Sequence, residues 1–405
     1  MIDTPAWWLF IAVLPLIYWL LPSRIRPVLL AVVSLVVLFA LSPVDMVVML
    51  GIGVFVYAVF AYAEAPALQA IGRRFSRLPL AGRALGPVTL VLLYLFWFKY
   101  LVPITTALGV NSRIAVIVIP LGISYFSFKI INYALEKSRS MLPPHGLQDY
   151  LSWLFLMPTF TAGPIEPFEH YLAGRETKFQ VSFIVEGGTR IVQGLVKKFV
   201  LGDSVVRLSD TLLGVDAGRD IIDLAHGGSG PATVWAFLLL SVVAAYLDFS
   251  GYSDIAIGAS RLFGLKIIEN FNYPFLATNL GDFWRRWHMS LVNWCRAYVF
   301  MPLVGITRNP FIAIVATFFV IGLWHAGSLL WISWGLWHGI GQVVMQKWVR
   351  FAQRRKIKFF RTSVGTATGW TMTMGYVALG DAFVVMYRQG GYLEAWRLIG
   401  RAFGL

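Results

Sequence analysis

Two histidines stand in a stretch of chain where almost nothing else can ionise. From Phe311 to Gly339 it reads FIAIVATFFVIGLWHAGSLLWISWGLWHG, with His325 and His338 each directly after a tryptophan. Burying an ionisable side chain in hydrocarbon is costly, so a histidine held there marks a functional site by default. Imidazole is also the side chain best suited to accept and return a proton near neutral pH. The plain alternative is a packing histidine that donates to a backbone carbonyl. The pattern favours chemistry for His325 and packing for His338.

Composition says what surrounds them. The chain has 405 residues, 58% hydrophobic and 13% charged, with a mean hydropathy of +0.70. A soluble domain carries about 25% charged residues, so this chain is too apolar to be solvated on all sides. The formal net charge of +14 reads as cytoplasmic loops and contacts with anionic lipid headgroups. Nucleic acid is not an expected partner, because no basic stripe occurs outside the loops between apolar runs. The single cysteine, Cys295, excludes an internal disulfide and a multi-cysteine metal site, and between Trp294 and Arg296 it reads as a packing residue. No structural or catalytic metal is expected.

Apolar runs of near-spanning length set the architecture. They cover roughly 6–22, 27–43, 45–65, 87–107 and 113–135, then 150–164, 181–201, 231–260, 309–326, 329–346 and 366–386. The first, Trp7–Leu21, lacks the basic start and cleavage site of a secretory signal and reads as a retained span. Basic clusters at Arg24/Arg26, Arg73/Arg74/Arg77/Arg83, Lys137/Arg139 and Arg350/Arg354/Arg355/Lys356/Lys358/Arg361 are assigned to the cytoplasm, which puts the N-terminus outside. With no internal repeat or low-complexity tract, residues 1–405 read as a single polytopic domain.

The interruptions carry information too. Pro158, Gly163, Pro164 and Pro167 break LFLMPTFTAGPIEP, so it cannot be one straight helix. The stretch Gly251–Leu303 mixes apolar residues with Asp254, Arg261, Lys266, Glu269, Asn270, Asn272 and the dense FWRRWH. Irregular backbone at membrane depth survives where protein or a water-filled cavity satisfies it, so this stretch suits re-entrant or interfacial helices around a cavity. Introduced cysteines at Ser253, Asn272 and Ser290 are then expected to react with polar thiol reagents. Asp248 and Asp254 are expected to form structural ion pairs with Arg261 or with Arg285/Arg286. Glu166, Glu169 and His170 read as a solvated or hydrogen-bonded loop rather than a metal cluster.

Several ordered motifs resemble the membrane-bound O-acyltransferase family. They are IPLGISYFSFKIINY (119–133), PTFTAGPIEP (158–167), YLDFSGYSDIAIGASRLFGLKIIENFNYPF (246–275), DFWRRWHMSLVNWCRAYVFMPL (282–303) and the GLWHAG and GLWHG pair (322–327, 335–339). The likeness is strongest to the bacterial branch that includes alginate O-acetyltransferases and teichoic-acid D-alanyl transferases. It implies an all-α, multi-span membrane fold with re-entrant helices around a central cavity. It also implies that His325 is the catalytic intramembrane histidine and His288 the second catalytic position, with His338 on the family's further GxxHG histidine. Two departures stand out. Trp294-Cys295-Arg296-Ala297-Tyr298 lacks the acidic residue that similar members carry after the Arg, and Met301–Gly305 stands where many alginate-type members have a Gly-Gly-Asn-Arg loop.

The chemistry can be argued from the residues alone. Acyl transfer from a thioester to a hydroxyl needs a base for the hydroxyl proton and a dry site that suppresses hydrolysis of the donor. A neutral buried histidine supplies the base, and no Ser or Cys sits in a GxSxG-like setting that would suggest an acyl-enzyme. Tryptophan Nε1–H or His288 is expected to stabilise the developing oxyanion. Arg285, Arg286, Trp287, Arg296 and His338 are candidates for contacting substrate or donor phosphate. The expected function is O-acyl transfer in the bacterial cytoplasmic membrane. A cytoplasmic acyl thioester, acetyl-CoA or an acyl carrier protein, would modify a hydroxyl of an extracytoplasmic glycopolymer, with a partner protein available to present the acceptor. ENFNYPF and WRRWH favour acetyl; chain length and PTFTAGPI favour D-alanine from a carrier protein. A lipid or glycan transporter is the reading from another class, weakened by the lack of paired repeats.

Overall fold

The computed structural model describes residues 4–64, 80–101, 104–105, 119–214, 221–227 and 229–405. Arg73, Arg74 and Arg77, the end of the expected 87–107 span and the start of the 113–135 span lie outside the described residues. In chain order the helices are α1 (Pro5–Leu20), α2 (Arg26–Leu41), α3 (Pro43–Glu64), α4 (Leu80–Lys99), α5 (Ile123–Ser138), α6 (Leu147–Leu154), α7 (Phe168–Ala173), α8 (Val181–Leu195) and α9 (Asp203–Leu213). There follow α10 (Ile221–Ala225), α11 (Pro231–Leu262), α12 (Leu280–Arg286), α13 (Met289–Cys295), α14 (Met301–Thr307), α15 (Pro310–His325), α16 (Leu329–Arg354), α17 (Ser363–Gln389) and α18 (Tyr392–Arg401). The protein is all-α, as the sequence implies.

Pro43–Tyr62, Pro231–Leu262 and Met289–Thr307 are long and apolar enough to cross a membrane, and Trp7–Leu20, Arg26–Leu41 and Pro310–His325 are shorter apolar helices. Their outer faces present bare hydrocarbon, with Leu16 65%, Val36 62% and Val44 76% exposed. Apolar surface on this scale needs lipid to cover it. Two expectations are corrected here. Residues 251–262 are not a re-entrant piece but the last turns of α11. The 289–307 stretch is an unbroken helix whose middle, Arg296–Phe300, widens into a π turn.

The chain forms two compact units, Met1–Gln193 with Ser253–Ile268, and Gly194–Tyr252 with Glu269–Leu405. In the first, the proline-broken segment folds as expected: α6 ends at Leu154 and a short 3-10 turn covers Met157–Thr159. The buried Lys129 ammonium donates to the Trp153 carbonyl at 2.8 Å, satisfying an acceptor that the end of α6 leaves open. Arg26 is not a free cytoplasmic marker. It is buried, donates to Thr177 O at 2.7 Å and lies over the Trp19 ring.

The carboxylate partners also differ from expectation. Asp254 pairs with Arg190 at 2.7 Å and Arg261 with Glu186 at 2.7 Å, while in the second unit Asp248 pairs with Lys198. The cause is close backbone approach between α8 and α11. A Cβ at Gly187 would stand 2.7 Å from Gly258 O, and one at Gly251 would stand 2.8 Å from Gly194 O. These contacts bring side chains of opposite charge on α8, on the π turn that follows it and on α11 within reach of one another.

In the second unit α15 and α16 form a hairpin joined by Ala326-Gly327-Ser328. Asn309 starts α15 by accepting Phe311 N–H at 2.9 Å, and Ser328 starts α16 by accepting Trp331 N–H at 3.3 Å. Gly322 and Gly335 face each other so closely that their Cα atoms take the place of side chains: a Cβ at Gly335 would collide with Phe318 O, and one at Gly322 with Trp331 O. Small residues at such a seam let backbones touch, which is how helices gain packing in lipid. Gly335→Ala is therefore expected to destabilise the protein by about 1–3 kcal/mol, as overpacking does. Gly51→Ala, whose Cβ would meet nothing within 4 Å, should be neutral or slightly stabilising. Thermal unfolding of the two purified variants in detergent checks the contrast.

Candidate active site

All three histidines of interest lie in the second unit, and their surroundings are built by local sequence rules. Asn279 caps α12 by accepting Asp282 N–H at 2.8 Å. Asp282 then holds both arginines of FWRRWH, Arg285 at 3.3 Å and Arg286 at 3.0 Å. After α12 the chain turns sharply at His288, whose φ of 44° and ψ of 51° lie in the left-handed region. A non-glycine residue held there costs about 1–3 kcal/mol and persists only where the surroundings enforce it.

Those surroundings are Asn270 and a ring of aromatics. Asn270, fully buried, accepts from His288 Nδ1 at 2.9 Å and from Ser290 Oγ at 2.8 Å. Its backbone carbonyl takes Met289 N–H at 2.8 Å. Phe249 stands edge-on to the His288 ring at 4.7 Å, and Trp324 lies at 6.4 Å.

His325 is the last residue of α15, half-buried, and its ring is stacked on Trp331 at 4.2 Å. Trp334 meets it edge-on at 5.3 Å and Trp324 at 4.6 Å. Trp324 thus touches both His288 and His325. His338, 2% exposed, continues the cluster from the other side of Trp334, at 4.9 Å, and meets Trp284 at 5.1 Å. Its Nδ1 has no hydrogen-bond partner among the described residues, so the packing histidine that donates to a carbonyl is not what this nitrogen shows.

A cavity of about 1540 Å³ opens beside this cluster. Its apolar wall includes Ile314, Phe318, Met345 and Trp348, and its basic residues are Arg285, Arg296, Lys356 and Lys358. Of the residues expected to meet donor phosphate, Arg285 and Arg296 therefore share one cavity. Arg286 is instead tied to Asp282 and to Asn272 O, and Trp287 packs among Tyr246, Phe271 and Phe283. Lys356 and Lys358 were legible only as topology markers. No Asp or Glu occurs between Asp282 and Asp381, against eleven Lys and Arg. Cys295 is buried, as expected of a packing residue.

Of the two forms expected of the Glu166 loop, solvated or hydrogen-bonded, Glu166 takes the hydrogen-bonded one. It is 1% exposed, accepts Ile268 N–H at 2.9 Å and binds His170 Nδ1. Burial raises its carboxyl above the usual range, and the hydrogen bond to Glu166 raises the His170 imidazole above its own. The cavity is lined from Thr278 onward rather than from Gly251, and Ser253 and Ser290 are each 2% exposed.

In this helical protein His288 and His338 are buried, and His325 half-buried, among aromatics beside a basic cavity. The chain belongs to the membrane-bound O-acyltransferase family, whose model matches residues 88–387, and it is an O-acyltransferase. It is 31% identical to the protein named "Probable alginate O-acetylase AlgI" of Pseudomonas aeruginosa, over 98% of this chain and 73% of that one. It is 30% identical to a teichoic acid D-alanyltransferase of Streptococcus thermophilus, over 63% of this chain and 64% of the relative. A peptidoglycan O-acetyltransferase of Helicobacter pylori is 27% identical over 66% of this chain and 54% of its own length.

The placement of these residues yields a labelling pattern different from the one the sequence suggests. With Cys295 replaced by serine, Asn272→Cys is expected to react with a small polar thiol reagent in intact membranes, because Asn272 is exposed. Ser253→Cys and Ser290→Cys should stay unlabelled. Mass shift on reagent treatment reads the result.

Proposed function

We propose that this enzyme transfers an acetyl group from a thioester on the cytoplasmic side of a bacterial inner membrane to a hydroxyl of an extracytoplasmic polysaccharide or cell-envelope glycopolymer. The observation that carries the reading is His325, held by stacked tryptophans and joined through Trp324 to His288. Its imidazole takes the acceptor hydroxyl's proton as that oxygen attacks the thioester carbonyl. The tetrahedral intermediate then expels the thiolate, which leaves as the thiol after receiving the proton from the imidazolium. No acyl-enzyme is formed, and the aromatic wall limits water that would hydrolyse the donor. Tryptophan Nε1–H groups are the donors suited to the transient oxyanion.

The donor's phosphates, on this reading, meet Arg285, Arg296, Lys356 and Lys358, while the apolar wall of the same cavity takes the rest of the carrier. Arginine suits this task because its planar fork matches phosphate oxygens. Acetyl-CoA and an acyl carrier protein both offer such a phosphate, and neither stays bound after turnover. Similarity to the alginate O-acetylase of Pseudomonas aeruginosa supports acetyl transfer. D-Alanyl transfer is the second reading, supported by the teichoic acid D-alanyltransferase of Streptococcus thermophilus. Membrane vesicles supplied with labelled acetyl-CoA, or with a D-alanyl carrier protein, separate the two by which label reaches polymer. Delivery of the acceptor through a separate envelope protein is compatible with either.

His325→Ala is expected to lower transfer by about 100- to 10,000-fold, the contribution of a general base, with insertion and expression unchanged. Wild-type ester content on the polymer of cells carrying the variant would sink the assignment. Arg296→Ala should behave in the opposite sense and raise the donor KM more than it lowers kcat, because phosphate binding is shared by ground and transition states. An unchanged donor KM in detergent-solubilised enzyme would remove Arg296 from donor binding.

A further inference from the structure

The hydrogen bonds around Asn270 say more about His288 than its burial does. Asn270 lies in ENFNYPF, eighteen residues before His288, and is fully buried. Its side-chain oxygen receives two hydrogen bonds, from His288 Nδ1 and from Ser290 Oγ, and its carbonyl receives Met289 N–H. One residue therefore grips the backbone turn at His288, the imidazole itself, and the first turn of α13. An oxygen that can only accept requires its imidazole partner to carry the proton on Nδ1. In a neutral ring this leaves the lone pair on Nε2.

We infer that Asn270 is a positioning residue that fixes His288 as the Nδ1–H tautomer, so that Nε2 accepts a hydrogen bond from a hydroxyl of the acceptor neighbouring the one whose proton His325 takes. The inference rests on His288 acting in the transfer. It changes the role expected from sequence: a neutral His288 with Nδ1–H committed to Asn270 orients the acceptor through that neighbouring hydroxyl and does not donate to the oxyanion. Ser290 supports the arrangement by holding the Asn270 oxygen in place. The faces of the imidazole meet Phe249, Phe271 and Trp324, none of which carries a charge. The amide oxygen on Nδ1 therefore sets the tautomer. Accepting a hydrogen bond from the acceptor needs Nε2 to be free, and the wrong tautomer loses that bond even when the geometry is kept.

The test compares kcat, KM and pH dependence for wild type, His288→Ala, Asn270→Leu, Asn270→Asp and Ser290→Ala enzyme in nanodiscs. Asn270→Leu removes the acceptor and is expected to lower kcat by about 100-fold, with donor KM within about twofold. Asn270→Asp keeps an acceptor oxygen, so it should rescue most of that loss at alkaline pH. Its added charge favours the imidazolium and should move the acidic limb of kcat up by about one pH unit. A packing role alone would leave that limb where it is. Asn270→Leu with wild-type kcat, or Asn270→Asp with a wild-type pH profile, overturns the inference. If Asn270→Asp does not fold, Ser290→Ala decides: a several-fold lower kcat at unchanged donor KM supports it, and wild-type kcat overturns it. Full activity in His288→Ala would instead refute the role of His288 itself. Loss in His288→Ala with an active Asn270→Leu refutes only the positioning.

Discussion

Two helix backbones can touch only where neither carries a side chain at the crossing, and Gly322 against Gly335 is that place in this enzyme. The sequence around each glycine is the same, Gly-Leu-Trp-His, once on α15 and once on α16. Three residues along a helix bring a side chain nearly back to the starting face. Each histidine therefore lies next to the glycine seam, and because the helices form a hairpin the two lie beyond opposite ends of it. Trp334 fills the space between them, in edge contact with both rings. A larger residue at either glycine would push α15 from α16 and open the aromatic packing that orients His325. The geometry of the histidine cluster thus depends on two missing side chains.

The second constraint is that polar groups away from water must find partners within the protein. It decides where the acids go. Asp248 and Asp254 are answered by Lys198 and Arg190 across the α8–α11 contact, and Asp282 by Arg285 and Arg286 within one turn. No carboxylate follows until Asp381. Arg296, Lys356 and Lys358 thus face the cavity with no ion pair among the described residues. Their field is not cancelled locally, and a low-dielectric wall of Phe318, Met345 and Trp348 focuses it. Ala297 contributes directly: an acid there, beside Arg296, would have neutralised part of that field.

What could be read beforehand follows from which forces are local. Hydrophobic run length placed α1, α2, α3, α11, α15 and α17, and the start of α16, within a few residues, because lipid thickness and helix rise fix that length. Proline chemistry foretold the break after Leu154. Ion-pair partners were not legible, since Asp254 and Arg190 meet only through the approach of Gly187 to Gly258. The polarity of 251–303 also misled, because its charges belong to three different settings: the end of α11, the irregular 263–279 segment, and the cavity wall. Asn270 was visible as a letter in a motif but not as a partner of His288. An amide eighteen residues away gives no periodic signal, and only the fold shows that its oxygen reaches the imidazole.

The size of the cavity bears on how such an enzyme could be selective. An acetyl group offers one methyl for recognition, and burying a group of that size is worth only about 0.8 kcal/mol. Discrimination by one carbon in an apolar pocket reaches about 10- to 200-fold at most. Binding strength must then come from the carrier rather than from the group transferred, and about 1540 Å³ of basic and apolar lining is space for a carrier. Trp284 belongs to that cavity wall and also meets Trp334 at 5.7 Å, which in turn meets His325 at 5.3 Å. The interactions that would hold the carrier and those that would move the proton therefore share a wall two tryptophans thick. A change in carrier binding there cannot avoid altering the packing of the histidine, whereas Arg296, Lys356 and Lys358 lie outside that wall and, on the proposed reading, would act on the carrier alone.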